Sequence, residues 1–308
     1  MQRVTNSMLV SDLIRTLNER MRSLGNLQNQ VTTGKKVFYA SDDPAAAGMI
    51  LQLRNCLRQN EQFQENSDNA IAWLTSTETT LQQVNDILTQ VREDAVQGSN
   101  GALSPEAMMA LAEEVNAYLD NIFALANEDY AGKSLFAGTN TKEAAFMDVR
   151  DPATGWITAV TANPAGTAGV MMRQVGTSEA MQINIAGEDL FQPNGAGSDE
   201  DLFQVLINLR DALASGDPDM VGEAIPQVDL VKDNVSDFTA LVGSKVTQLT
   251  NIQGKLLFEE TNLTSQLSEQ EDADLVELMT EMTLEENAYQ VALNVGSMII
   301  QPSLADFI

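Results

Sequence analysis

Hydrophobic residues recur at seven-residue spacing through most of this chain, and the repeats reach both of its ends. Val10, Leu17, Leu24 and Val31 hold one phase, Leu13 and Leu27 hold the intermediate position, and Ile14 and Met21 lie beside them. Spacing of this kind lays a narrow apolar seam along one side of a helix, as knobs-into-holes packing requires. Near the other end Leu275, Met282 and Tyr289 share a phase, and Leu278, Met279, Leu293, Ile299 and Ile300 widen that face. The longest repeat runs through Val221, Val228, Val235, Val242, Leu249, Leu256 and Leu263, with Ala224, Val231, Phe238 and Ile252 in the companion phase. Lys245, Glu259 and Gln266 interrupt that companion phase. Upstream, Leu74, Leu81, Leu88 and Ala95 keep the same period, with Val84 and Val91 between them.

These stripes predict helices that need a partner surface, because propensity alone stabilises an isolated helix little. The 74–95 and 221–263 repeats read as the core of one intramolecular bundle. The two ends read as joining in a helical bundle that holds other subunits, and packing between subunits is favoured for the terminal stripes, since a chain end so apolar is a liability on an isolated molecule.

Punctuation divides the rest. The first helix should stop near Thr33-Gly34, and Ser41-Asp42-Asp43-Pro44 opens the next, with acidic capping residues and a proline in the first turn. That helix can run to about Gln97, before Gly98-Ser99-Asn100-Gly101. Ser104-Pro105-Glu106 restarts a helix that is apolar at Met108, Leu111, Val115, Leu119 and Ile122. From Leu135 to Phe191 the helical period disappears. Trp156–Val160, Val170–Val175 and Met181–Ile185 read as short strands there. Ser198-Asp199 caps a short helix through Leu213, and Ser215-Gly216-Asp217-Pro218 turns the chain into the long repeat.

The fold class that results is mainly α with a β-rich insertion: an elongated helical bundle or coiled coil built from N- and C-terminal segments, with a small central β domain.

Charge narrows the choice of partners. The chain of 308 residues carries a net charge of −27 at pH 7, which argues against nucleic acid. Residues 1–60 nevertheless hold eight Lys or Arg against four Asp or Glu, whereas Leu256–Ile308 holds eleven acidic residues and no basic one. A basic first segment beside an acidic last one favours their mutual pairing over self-pairing of either. With no histidine, imidazole bases, triads and His-ligated metals are excluded, and the single Cys56 reads as a packed small residue rather than a reactive thiol. No run of about twenty apolar residues spans a membrane. Met1–Ser11 lacks the apolar core of a signal peptide, so the chain is expected to be cytosolic or exported without a cleaved signal.

Several motifs are decoys. Gly132-Lys133-Ser134 ends like a phosphate-binding loop, but Asn127 stands where that loop needs its first glycine. Asn234-Val235-Ser236 and Asn262-Leu263-Thr264 match the glycosylation pattern with their middle residues in the core phase. The acidic residues Glu269, Glu271, Asp272 and Asp274 read as a solvated face. No convergent catalytic set is found. The chain reads as a building block that is not an enzyme and holds no cofactor or metal.

The local motifs resemble a known family. Thr32-Thr33-Gly34-Lys35-Lys36-Val37, followed by Ala40-Ser41-Asp42-Asp43-Pro44-Ala45-Ala46-Ala47, looks like the N-terminal signature of the flagellin superfamily, in the form of its hook-associated members. Tyr130–Thr139, Val242-Gly243-Ser244-Lys245, Tyr289–Asn294 and Gln301–Ile308 are similar to later segments of the same family. The resemblance implies a structural protein of the bacterial flagellum that joins hook to filament, with residues 1–40 and 270–308 as the inner terminal helices, 41–138 and 200–269 as a helical rod domain and 139–199 as a β-rich outer domain. Its site would be the terminal seams Val10, Leu13, Leu17, Leu24, Leu27, Val31, Leu275, Met279, Met282, Tyr289, Leu293 and Ile300, which order on assembly, next to the signature residues Gly34, Lys35, Ser41, Asp42, Asp43 and Pro44. Neighbouring copies, a hook-associated protein on the hook side, flagellin on the filament side and an export chaperone at the acidic C-terminal segment are the implied partners. The rival readings are flagellin itself and, further off, a cytoplasmic coiled-coil adaptor.

Overall fold

The computed structural model describes residues 6–164 and 166–300, with seven helices and six short strands among them. The helices are α1 (Asn6–Thr33), α2 (Pro44–Gly98), α3 (Pro105–Ala126), α4 (Gly187–Phe191), α5 (Leu202–Ser215), α6 (Pro218–Glu271) and α7 (Leu275–Ile300). The strands are β1 (Asp129–Tyr130), β2 (Lys133–Ser134), β3 (Phe146–Arg150), β4 (Ile157–Ala162), β5 (Met172–Gln174) and β6 (Ala180–Gln182). The expected class, mainly α with a β-rich insertion, holds. The chain divides into two compact units: one drawn from its two ends, up to Gln59 and from Phe258, and one formed by Asn60–Leu257.

In the Asn60–Leu257 unit the paired heptads do what the sequence predicts. Leu74, Leu81, Leu88, Val84, Val91 and Ala95 of α2 have no accessible surface, nor have Val221, Val228, Val235, Val242 and Leu249 of α6. Cross-links fix an antiparallel register between these two helices. Arg92 Nε pairs with Asp229 Oδ1 at 2.5 Å, Asn85 donates to Ser236 Oγ at 3.3 Å, and Gln253 donates to Asp68. Removing whole rows of Leu and Val from water supplies the stabilisation, roughly 1.5–3 kcal/mol per side chain. The polar pairs choose between registers one turn apart.

Helix α3 starts where the sequence reading places it. Pro105 follows the N-cap Ser104, whose side chain accepts from the Ala107 N–H, and the five predicted apolar positions are all buried. That face packs on α5 and β4. Helix α5 corrects the expected cap: Asp201, not Ser198-Asp199, accepts from the N–H groups of Phe203 and Gln204, and the helix continues to Ser215. Asp201 is buried, so desolvation pushes its carboxyl up, against donors from Gly197 N–H at 2.7 Å and Gln192 Nε2 at 2.9 Å.

The insertion is three antiparallel two-stranded ribbons, β1/β2, β3/β4 and β5/β6. The expected strands at 156–160 and 170–175 correspond to β4 and β5. The third is shifted: β6 ends at Gln182, while Ile183 and Ile185 are buried beyond it. Strands β1–β3 and helix α4 were not anticipated. Phe136, Phe146, Phe191 and Phe203 meet with ring centroids 5.3–5.6 Å apart and join the insertion to α4 and α5. Gly132 follows Ala131 in the β1/β2 turn with φ of 74° and 52°, so Gly132-Lys133-Ser134 is a tight hairpin and not a phosphate loop. Gly138 has φ of 58°, and a Cβ there would lie 2.5 Å from the Gly169 nitrogen, so no side chain fits.

One carboxyl in this unit is poorly placed. Asp94 on α2 has an Oδ2 cut off from water with no hydrogen-bond partner among the described residues. Burial, with Glu114 and Glu93 nearby, raises its pKa to about 6. An unfolded Asp ionises near 3.9, so the folded state binds a proton more tightly than the unfolded one. Stability from this group is therefore fully present below about pH 4 and is lost as the pH rises through about 6. Asp94→Asn should raise the stability of this unit by about 1 kcal/mol at pH 7.5, allowing for the screening of a partly exposed group. The gain should vanish at pH 4 in thermal denaturation followed by circular dichroism.

Candidate assembly interface

The two ends of the chain meet in the other unit. Helix α1 stops at Gly34, whose φ of 69° and N–H bond to the Gln30 carbonyl close the last turn. Helix α7 starts at Asp274, whose Oδ1 accepts from Val276 N–H at 2.8 Å and Glu277 N–H at 3.3 Å. Between these ends the backbones form a short antiparallel bridge: Lys36 N–H donates to Glu271 O at 2.8 Å and Ala273 N–H to Gly34 O at 2.9 Å. From there α1 and α7 run antiparallel against each other. Arg20 Nη1 meets Glu285 Oε2 at 3.1 Å, and further out Gly296 lies against Leu13.

The α1 stripe faces α7. Val10, Leu13, Leu17, Leu24, Leu27 and Val31 are all half-buried, so the seam expected between subunits is partly filled within the chain. Acidic and basic ends do associate, with Arg20 and Glu285 as the described ion pair between the two helices.

Helix α7 departs from the single stripe read in the sequence. Leu278, Met282, Glu285, Tyr289, Ala292 and Gly296, with Ala288 beside them, are its buried or half-buried positions, an a/d series that ends on a glycine. A Cβ at Gly296 would come within 2.7 Å of Leu13 Cδ2, so the helices close tightly there. Of the predicted α7 residues, Met282 and Tyr289 lie in this seam. Leu275, Met279 and Leu293 do not: they are 48%, 57% and 45% exposed. Val276 and Met298 are 76% exposed and Leu284 64%, and Val276, Met279, Thr280, Thr283 and Leu284 line an open groove. A helix apolar on all sides belongs in a buried setting, and one neighbour covers only one side of it. The side chain of Ile300, and the segment Gln301–Ile308, lie outside the described residues.

The signature residues build the connection rather than a binding pocket. Asp43 Oδ1 accepts from Ala45 and Ala46 N–H at 3.0 Å, capping α2 ahead of Pro44 as predicted, and Asp42 Oδ2 accepts from Tyr39 N–H at 2.8 Å. Ser41 is exposed. Lys35 reaches Glu271, and here the acidic-cluster reading fails: Glu271 is only 4% exposed and also accepts from Arg54 Nη2 at 2.5 Å. Nothing in its local sequence marks it, because burial at the end of α6 depends on residues more than two hundred positions away. Cys56 is half-buried, on the face of the buried Leu53. Among the described residues no group of His, Cys, Asp or Glu could hold a metal ion, and no helix is long and apolar enough to cross a membrane.

The family model for the bacterial flagellin N-terminal helical region matches residues 4–141. Flagellar hook-associated protein 3 of Escherichia coli is 25% identical over 301 residues, covering 89% of this chain and 92% of that protein. Its Salmonella typhimurium counterpart is 28% identical over 214 residues, covering 66% of this chain and 64% of that protein. In fold, the crystal structure of hook-associated protein 3 from Legionella pneumophila superposes with a TM-score of 0.61 at 14% identity, covering 71% of this chain and 98% of that one.

The tight crossing yields a graded test. Gly296→Ala should be accommodated by rotation of Leu13, whereas Gly296→Leu should force α7 off α1. In hydrogen exchange of the full chain, amides of 275–298 should then exchange about tenfold faster, with those of 105–126 unchanged.

Proposed function

We propose, on the premise that this chain is a relative of flagellar hook-associated protein 3 in the flagellin superfamily, that it is a structural protein of the bacterial flagellum joining hook to filament. The observation that carries the reading is the outward face of α7. Val276, Met279, Leu284, Val291 and Met298 form an apolar surface that the chain's own fold leaves open, in the segment that also pairs the two chain ends. Burying it against further subunits couples the ordering of the terminal helices to assembly. The fit is to neighbouring copies of the same chain, to another hook-associated protein on the hook side and to flagellin on the filament side. Contacts that run head to tail without closing can continue one tubular lattice into another.

The layers read from the sequence, 1–40 with 270–308 inside, 41–138 with 200–269 around it and 139–199 outermost, are the arrangement this role calls for. Export without a cleaved leader, to a place outside the cell, belongs to the same reading. So does a chaperone that covers the acidic, apolar C-terminal segment before assembly: an uncovered α7 would invite premature association. The role needs no catalytic group, cofactor or metal.

Immunogold electron microscopy of isolated flagella, with an antibody to residues 142–200, should give a single narrow band between hook and filament. Label along the whole filament would make the chain a flagellin, and absence of label would return the cytoplasmic adaptor. The face itself is tested by Val276→Asp with Leu284→Asp. Incorporation should fall by about tenfold or more, as expected for charges placed in a buried apolar contact, while the melting of the Asn60–Leu257 unit stays unchanged. Normal incorporation would remove α7 from the interface.

A further inference from the structure

Glu271 is a nearly buried carboxylate at the point where α6 gives way to α7, and no part of the proposed contact surface uses it. It touches two distant stretches of chain. Lys35, in the α1–α2 connection, and Arg54, on α2, both donate to its Oε1, and its own carbonyl accepts from Lys36 N–H at 2.8 Å. Around it, Lys36 Nζ donates to the Glu269 carbonyl at 2.7 Å, Gln30 Nε2 to the Lys36 carbonyl at 2.8 Å, and Ala273 N–H to the Gly34 carbonyl at 2.9 Å. The end of α1, the start of α7 and one side of α2 are thus tied at a single anion.

From this arrangement we propose that Glu271 is a positioning residue that sets the register and rotation of α7 on α1, and so decides which face of α7 is offered to the next subunit. The inference rests on the junction reading for its purpose, though not for its geometry. The α1–α7 seam cannot set the register alone. Apart from Leu278 and Gly296 its residues are only half-buried, and α7 carries apolar side chains on both its inner and outer sides. Sliding by one turn would replace Gly296 with Ala292 opposite Leu13 at little hydrophobic cost, and rolling would exchange the two faces. A buried ion pair stabilises little compared with an apolar substitute, but it has one geometry, and fixing register is the best attested use of such pairs. Two cations from different segments give this carboxylate one position along the chain and one around it.

The test uses the purified full chain, with incorporation read separately in isolated flagella. In a Cys56→Ser background, Leu13→Cys is combined with Gly296→Cys or with Ala292→Cys, and intrachain disulfides are quantified after mild oxidation. With Glu271 present the 13–296 bond should exceed the 13–292 bond by about tenfold or more, as one fixed register requires. Glu271→Gln, which keeps shape and removes charge, should bring the two near parity and lower incorporation. Lys35→Met with Arg54→Met, which removes the partners instead, should do the same. The proposal is overturned if either variant keeps the parental ratio, or if only Glu271→Gln changes it. A junction band in immunogold together with an unchanged ratio would sink this inference and leave the junction reading standing. Absence of the band with a shifted ratio would do the reverse.

Discussion

A helix with apolar side chains on every side has no stable place beside a single neighbour, and that constraint governs the terminal half of this molecule. Helix α7 fills one side with α1, through Leu278, Met282, Tyr289, Ala292 and the close approach at Gly296, and has Val276, Leu284 and Met298 left over. An isolated two-helix seam of half-buried residues contributes modestly to stability, since most helical stability in proteins comes from packing a full face. The Asn60–Leu257 unit is the opposite case. Its heptad rows on α2 and α6, the α3–α5 pair and the phenylalanine cluster are buried by the chain itself. One unit is complete alone and the other is not, and a protein that must remain soluble before it is built into a larger structure gains from that division.

Polar groups set geometry wherever apolar repeats are degenerate. On the long helices every heptad resembles the next, so a slip of seven residues would bury nearly the same Leu and Val atoms. Arg92–Asp229 and Asn85–Ser236 distinguish the registers there. At the chain ends Glu271 with Lys35 and Arg54 occupies the corresponding position, joined by Arg20–Glu285. Surface pairs contribute only about 0–1 kcal/mol each, which is too little to hold a bundle together. It suffices to choose between packings that differ by no more than that.

Much of this was legible in the residues. Seven-residue periods stand out because each helix repeats its environment many times, and Asp43-Pro44, Ser104-Pro105 and Gly34 mark helix ends through chemistry confined to three or four residues. What escaped depends on distant partners. Strand β3 alternates over Met147-Asp148-Val149-Arg150, but its buried residue, Phe146, is out of phase with that pattern, and its pairing with β4 exists only once the hairpin closes. Asp201 does not stand out from Ser198-Asp199 because the four polar residues Ser198-Asp199-Glu200-Asp201 offer comparable caps until burial selects one. On α7 the apolar residues point almost everywhere, so the sequence alone does not separate those that meet α1, such as Met282 and Tyr289, from those left exposed, such as Leu275, Met279 and Leu293.

The charge asymmetry gives the open face a direction. A surface made only of Val, Leu and Met would pair with itself as readily as with anything else, and like faces meeting around a two-fold axis close into a dimer. Glu277, Glu281 and Glu286 are exposed on the same helix, in a segment from Leu256 onward that holds no basic residue. Bringing two such helices together would set acidic surface against acidic surface, where like charges are costly. A partner surface that is neutral or basic meets no such penalty, and the first sixty residues, with eight Lys or Arg against four Asp or Glu, are of that kind. The acidic residues therefore act against closure. On the proposed role, they leave the apolar face to subunits that approach in a head-to-tail sense, which is the sense in which a lattice continues.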